Sequence, residues 1–302
     1  MSEAQLRAAD LAVATARPQA PAAVIDANQP SSPAAAGPWP QAKRRRRLGP
    51  GKRIPYGRVL GPVLLLGLWS LASATGLLDP RIVSAPWSVI ATAAQLSARG
   101  ELQADLLISA RRALIGLGFG VTAGTLLAVL AGLSRVGDAV VDGAMQVKRS
   151  IPALALIPLM ILWLGIDEKM KIVTIAIFVL APVYINTYAA LTGIDSRYVE
   201  LAEVVGLSRW QFLRRVVVPG ALPGWFVGLR LSVTGSWLAL IVVEQINATS
   251  GIGYMMFQAQ QYGQTNVILV GLLVYGLFGF ITDALVRLTE RRALAWRRTL
   301  AG

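Results

Sequence analysis

Five polar side chains stand out because they interrupt apolar runs: Asn186, Arg230, Thr234, Ser236 and Glu244. Asn186 and the two hydroxyls offer hydrogen bonds to the oxygens of a solute. Arg230 offers a fixed positive charge, and Glu244 a carboxylate near the end of its run. Ionisable groups at such depths are costly and are functional candidates by default. The plainer reading of Arg230 is a long stem that snorkels to the inner surface. The plainer reading of Glu244 is the outer cap of its helix. Catalysis finds no support. The chain has 0 His and 0 Cys, which excludes a His general base, a thiolate nucleophile, disulfides and Cys/His metal sites. No catalytic residue, no metal site and no bound cofactor are expected, and no cluster resembles a proton relay.

A second polar feature is longer. YVELAEVVGLSRWQFLRRVVVPGALP runs from Tyr198 to Pro223 between two apolar segments. Asp195 or Ser196 can cap a first short helix, and Gly206 suits its end. Ser208 and Gln211 fit a capping box that opens a second helix. Trp210, Leu213 and Val217 recur at helical spacing, and Pro219 and Pro223 are expected to close it. The stretch therefore reads as two short helices joined at a glycine elbow. It suits either an interfacial loop or a docking element for a partner, and composition alone does not choose.

The elements around these residues are membrane elements. The 302 residues are 55% hydrophobic and only 15% charged, against about 25% charged in soluble domains. Six spans are expected, at about 60–78, 113–133, 143–165, 172–193, 224–246 and 266–286. Each approaches the ~20 residues that cross ~30 Å of hydrocarbon. Lys148 and Arg149 interrupt the third. The second carries Gly116, Gly120, Gly124, Ala128 and Gly132, a small residue at every fourth position that permits close helix packing. Pro152, Pro158 and Pro182 can mark bent spans along a pathway, or only the ordinary proline enrichment of membrane helices.

Residues 79–110 read as an external connection with a short interfacial helix after Pro86. Residues 1–54 are rich in Ala, Pro and Ser and are expected to be disordered, ending in a basic run. Lys and Arg counts place both termini in the cytoplasm, together with Lys148, Arg149 and the 198–223 stretch. Arg111, Arg112, Lys169 and Lys171 are assigned to external segments. The net charge of +13 follows from these flanking residues and does not call for nucleic acid.

Glu200-Leu201-Ala202, Gly206 and Val216-Val217-Val218-Pro219 resemble the EAA signature of ABC importer permeases. That signature is Glu-Ala-Ala, three residues, Gly, nine residues, Ile, one residue, Leu-Pro. Leu201, Val216 and Val218 replace apolar members of the pattern. The stretches 151–172, 182–211, 219–230 and 247–268 are similar to nitrate/sulfonate/taurine-type permeases, and most of all to aliphatic sulfonate permeases. The resemblance covers about 60–298.

It implies an all-α polytopic protein with the type I ABC importer permease fold. The segments would be 1–54, a first helix and external connection over 55–104, a transmembrane domain over 105–289 with coupling helices at about 196–221, and a basic tail over 290–302. It implies an inner-membrane permease that works with a second permease copy, two ATP-binding subunits and a periplasmic or lipid-anchored binding protein. ATP would be used by the partner subunits. The only Gly-Lys pair, Gly51-Lys52, lacks phosphate-loop spacing. The docking residues carried over are Glu200, Ala202, Gly206 and Pro219. The implied solute is a small anion: an aliphatic sulfonate, or alternatively taurine, nitrate or another small molecule. A rival of another class is a secondary transporter driven by an ion gradient, which should show intramembrane acids and repeated broken helices.

Overall fold

Lipid offers no hydrogen bonds to a backbone, so a spanning chain must satisfy its own amides, as a helix does. The computed structural model describes residues 57–296, and every regular element among them is helical. The elements are α1 (Gly57–Ala74), α2 (Pro86–Ala98), α3 (Glu101–Leu133) and the pair α4 (Arg135–Ser150) and α5 (Ala153–Leu164). They continue with α6 (Glu168–Thr192), α7 (Arg197–Val204), α8 (Arg209–Ile246), α9 (Ile252–Gln261) and α10 (Thr265–Ala293). The expectations for residues 1–54 and for the end of the basic tail lie outside the described residues.

Helix α6 is the centre of the bundle, and glycines on both neighbours make room for it. A Cβ at Gly116 would come 2.7 Å from the Ile175 side chain, one at Gly120 2.6 Å from the Ala176 carbonyl, and one at Gly124 2.7 Å from that of Leu180. The small-residue stripe of α3 thus packs within the chain. A second stripe lies on α8, where Gly224 faces Ala190, Gly228 faces the Pro182 carbonyl and Gly235 faces Phe178. Ile175, Val179, Val183 and Tyr184 of α6 are buried between them.

The six expected spans are not alike among the described residues. Four helices are long and apolar enough to cross a membrane: α3, α6, α8 and α10. The expected third span is a broken pair, α4 and α5, bent by 90°. Ile151 is extended at the break (φ −92°, ψ 119°), and Pro152 follows it, since a residue before proline avoids the helical region. Helix α1 carries the apolar stretch Leu60–Ala74 within the expected first span. The second span begins at Glu101, not near 113, so Arg111 and Arg112 lie inside α3 and not in a loop.

Pro219 and Pro223 do not close a helix. The chain is helical without a break from Arg209 to Ile246. A π-turn at Leu213–Val217 loosens the backbone register just before Pro219, so the clash of a proline ring with the preceding turn is relieved.

Candidate functional site

The elbow is built as a pair of interlocking caps. Asp195 Oδ1 accepts from the Arg197 amide at 3.0 Å and opens α7, while the Ser196 side chain makes no cap bond. At the other end, the Gly206 amide donates to Glu203 O at 3.1 Å and the Leu207 amide to Ala202 O at 2.9 Å. This is a Schellman closure, and its left-handed position is Gly206 at φ +70°. The next helix opens on the Ser208–Gln211 capping box, with both reciprocal bonds present. Ala202 is buried and Glu200 exposed. Tyr198, Leu201, Val204, Val205 and Trp210 are exposed too, Val204 to 85%. A capped two-helix corner with its apolar residues turned outward suits cover by the membrane interface or by a partner.

At the other end of α6, about 37 Å along the helix, lies an ionic cluster in which Arg112, Lys171 and Glu244 are buried and Glu168 stands at the exposed edge. Glu244 is 0% exposed. Its carboxylate accepts from Arg112 Nη1 at 2.7 Å, Ser109 Oγ at 2.8 Å, the Gly253 amide at 2.9 Å and Tyr275 Oη at 3.0 Å. Arg112 also forms a fork onto Glu168, Nε at 2.7 Å and Nη2 at 2.6 Å, and donates to Ser250 O. Lys171 Nζ donates to Glu168 at 2.7 Å.

Two cations and two carboxylates balance, and every charge is hydrogen-bonded, which makes burial tolerable. Gly251 sits at φ +110°, and a Cβ there would stand 2.4 Å from Glu244 Oε1. The loop between α8 and α9 therefore wraps a carboxylate that only glycine can approach so closely. The cluster ties α3, α6, α8, α9 and α10 together.

Glu244 is thus no helix cap, and Arg112 and Lys171 are not loop charges. The spacing of Glu168 and Lys171 as i, i+3 was a signal for their pair. Nothing in the sequence marked the pairing of Arg112 with Glu244, which lie 132 residues apart.

The remaining polar candidates do not converge on one site. Asn186 Nδ2 donates to Pro182 O at 2.8 Å, and buried Ser236 donates to Val233 O at 2.8 Å. Both side chains serve the backbone of their own helix. Arg230 and Thr234 do share a hollow of about 460 Å³ between α8 and α10, lined also by Val227, Leu231, Asp283 and Glu290. There Arg230 Nε meets Asp283 Oδ1 at 2.8 Å. The pair removes the need for Arg230 to snorkel.

The sequence profile of binding-protein-dependent transport system inner membrane components matches residues 120–294. The chain belongs to this family. That range holds α6, the elbow, α8, α9 and α10 entire. Among the permease's relatives is the SsuC protein of Escherichia coli (strain K12), named for aliphatic sulfonates transport. It is 44% identical over 235 residues, covering 78% of this chain and 89% of that protein. The SsuC protein of Bacillus subtilis (strain 168) is 36% identical over 272 residues, covering 89% and 98%. The taurine transport system permease protein TauC of Escherichia coli (strain K12) is 30% identical over 238 residues, covering 77% and 86%.

The crystal structure of an amino acid ABC transporter with histidines superposes with a TM-score of 0.56 at 18% identity, over 66% of this chain and 97% of that one. The fold is that of ABC importer permeases. The protein is a membrane-embedded transport permease and not an enzyme.

Proposed function

We propose that this permease is the membrane subunit of an ATP-driven importer that passes small organic anions, aliphatic sulfonates foremost, across the cytoplasmic membrane by alternating access. Taurine and nitrate are the alternative solutes. The elbow carries the reading. It is a locked, outward-facing apolar corner that stands where two spanning helices meet, and no other chemistry of this chain uses it. The two SsuC relatives support the sulfonate assignment, because they are more similar to this chain than the taurine permease.

In this mechanism both termini and the elbow are cytoplasmic, which the Lys and Arg bias supports. Each of two permease copies seats its elbow on one ATP-binding subunit, and a periplasmic or lipid-anchored binding protein delivers solute to the opposite end. ATP is bound by the partner subunits, and this chain binds no cofactor. Closure of the ATPase pair pushes α7 and the start of α8. Because α8 is helical from Arg209 through the π-turn to Ile246, the push is carried along the helix to the hollow at Arg230 and Thr234. Glu200 gives the lever a polar rim. Ala202 packs its underside, Gly206 sets its angle, and Pro219 follows the π-turn where it joins the span.

The test is Gly206→Val in the complete transporter. A Cβ at Gly206 meets nothing within 4 Å, so the cost is left-handed backbone strain of roughly 1–2 kcal/mol confined to the elbow. Membrane insertion persists and ATP-driven ethanesulfonate uptake is lost. Normal uptake with a normally assembled ATPase would show that the corner is not the lever.

A further inference from the structure

We propose that Lys148 is the anion-binding residue of the translocation path. Its ammonium would take a sulfonate oxygen at the point where the α4–α5 span breaks. The inference rests on the importer reading above and adds a residue to it.

Lys148 counts as a cytoplasmic flanking charge in the sequence, yet its Nζ donates to Ile177 O at 2.6 Å. Ile177 lies nine residues past Glu168 and fifteen before Thr192. At 1.5 Å per residue it is about 14 Å from one end of α6 and about 22 Å from the other. The ammonium is therefore held at membrane depth.

It is held there without a counter-charge. Arg112, Lys171 and Arg230 are also lodged within spans, and each contacts a carboxylate. Lys148 forms no ion pair among the described residues. An ammonium has three donors, and the Ile177 carbonyl takes one.

A purely structural role does not explain the charge. Two nearby carbonyls of α6 also receive side-chain donors, and both donors are neutral: Ser232 Oγ on Val179 O at 2.8 Å and Asn186 Nδ2 on Pro182 O at 2.8 Å. A hydroxyl or an amide is enough for that task. Placing a cation there costs far more.

The surroundings also argue against lipid. Ile151 and Pro152 carry non-helical backbone, and they are exposed together with Val147, Arg149 and Ser150. Irregular backbone at membrane depth is tolerated only where it faces protein or a water-filled cavity. A half-buried ammonium beside such a break, with two donors unspent, fits an oxyanion in transit. Lysine acts there as a point charge, which holds an anion without the bidentate grip of arginine and so lets it leave.

The experiment uses the complete transporter in proteoliposomes, with ATP inside and the loaded binding protein outside. Lys148→Met, Lys148→Gln and Lys148→Arg are compared. Ethanesulfonate uptake falls roughly ten- to hundredfold in K148M, the worth of one charge-assisted hydrogen bond. K148Q keeps a donor for Ile177 O and falls equally, while K148R restores most of the uptake. Melting temperature and ATPase stimulation by the loaded binding protein stay at wild-type values.

Recovery in K148Q overturns the proposal, because the side chain then only serves a carbonyl. A loss of uptake matched by a loss of assembled complex overturns it too. Undiminished uptake in all variants removes Lys148 and leaves the importer reading standing. A wild-type transporter that imports an uncharged solute but not ethanesulfonate removes both Lys148 and the anion assignment, and leaves the importer class.

Discussion

Glu244 shows how much one carboxylate can organise. Four donors from three helices converge on it. Glu244→Gln removes the charge but keeps the shape, and it turns an amide N–H₂ toward groups that are themselves donors. It should destabilise the protein by about 3–5 kcal/mol, as for a broken buried pair, read by denaturant unfolding in detergent. Adding Arg112→Met should cost less than the two single changes summed, because Glu168 and Lys171 remain as a neutral pair. The double-mutant cycle should give a coupling of roughly 0.5–3 kcal/mol; strict additivity would mean that the cluster is not one unit. Gly251→Ala should be severe, since a Cβ there meets Glu244 at 2.4 Å. Gly263→Ala, also at positive φ but in open space, should cost only the backbone term of about 1–2 kcal/mol.

At the scale of elements, packing on α6 depends on which face a glycine occupies. Gly120→Leu should drive α3 off α6, because the Ala176 carbonyl stands 2.6 Å from its Cβ. Gly118→Leu, two residues away with nothing within 4 Å, should be accepted. The yield of folded monodisperse protein compares them, and equal yields would mean that the seam tolerates separation. Pro219→Ala should likewise be tolerated for folding, because the helix already runs through that position. The helical periods, the caps and the glycine stripe of α3 were legible along the chain, since each is set by neighbours within a few residues. The true start of α3, the broken α4–α5 pair and the unbroken α8 were not. Hydropathy locates apolar mass and does not say whether a polar residue ends a helix or is absorbed by a partner.

For the whole molecule, the question is which exposed surface meets lipid and which meets water or a second copy. Arg230, Thr234 and Asp283 line a hollow beside exposed Val227 and Leu231. A charged pair on such a face is poorly served by lipid. The absence of Cys from the chain allows a direct test. A single Thr234→Cys should react with a water-soluble maleimide in the working transporter, and Leu114→Cys, exposed on α3, should not. Labelling of both, or of Leu114 alone, would place the path elsewhere. The elbow belongs to this scale as well, because its two helices act through the spans they join.

By itself the sequence determined an all-helical membrane chain, the elbow with its Gly206 turn and Ser208–Gln211 box, and the resemblance to importer permeases. These follow from composition and from contacts a few residues apart. Only the tertiary structure decided what the charges do. Arg112 and Glu244 are paired across 132 residues, Arg230 is answered by Asp283 on α10, and Lys148 reaches the middle of α6. A charge beside an apolar run looks the same whether it faces water, a counter-ion or a path. The difference is free energy of solvation, and that depends on the neighbours the fold brings to it.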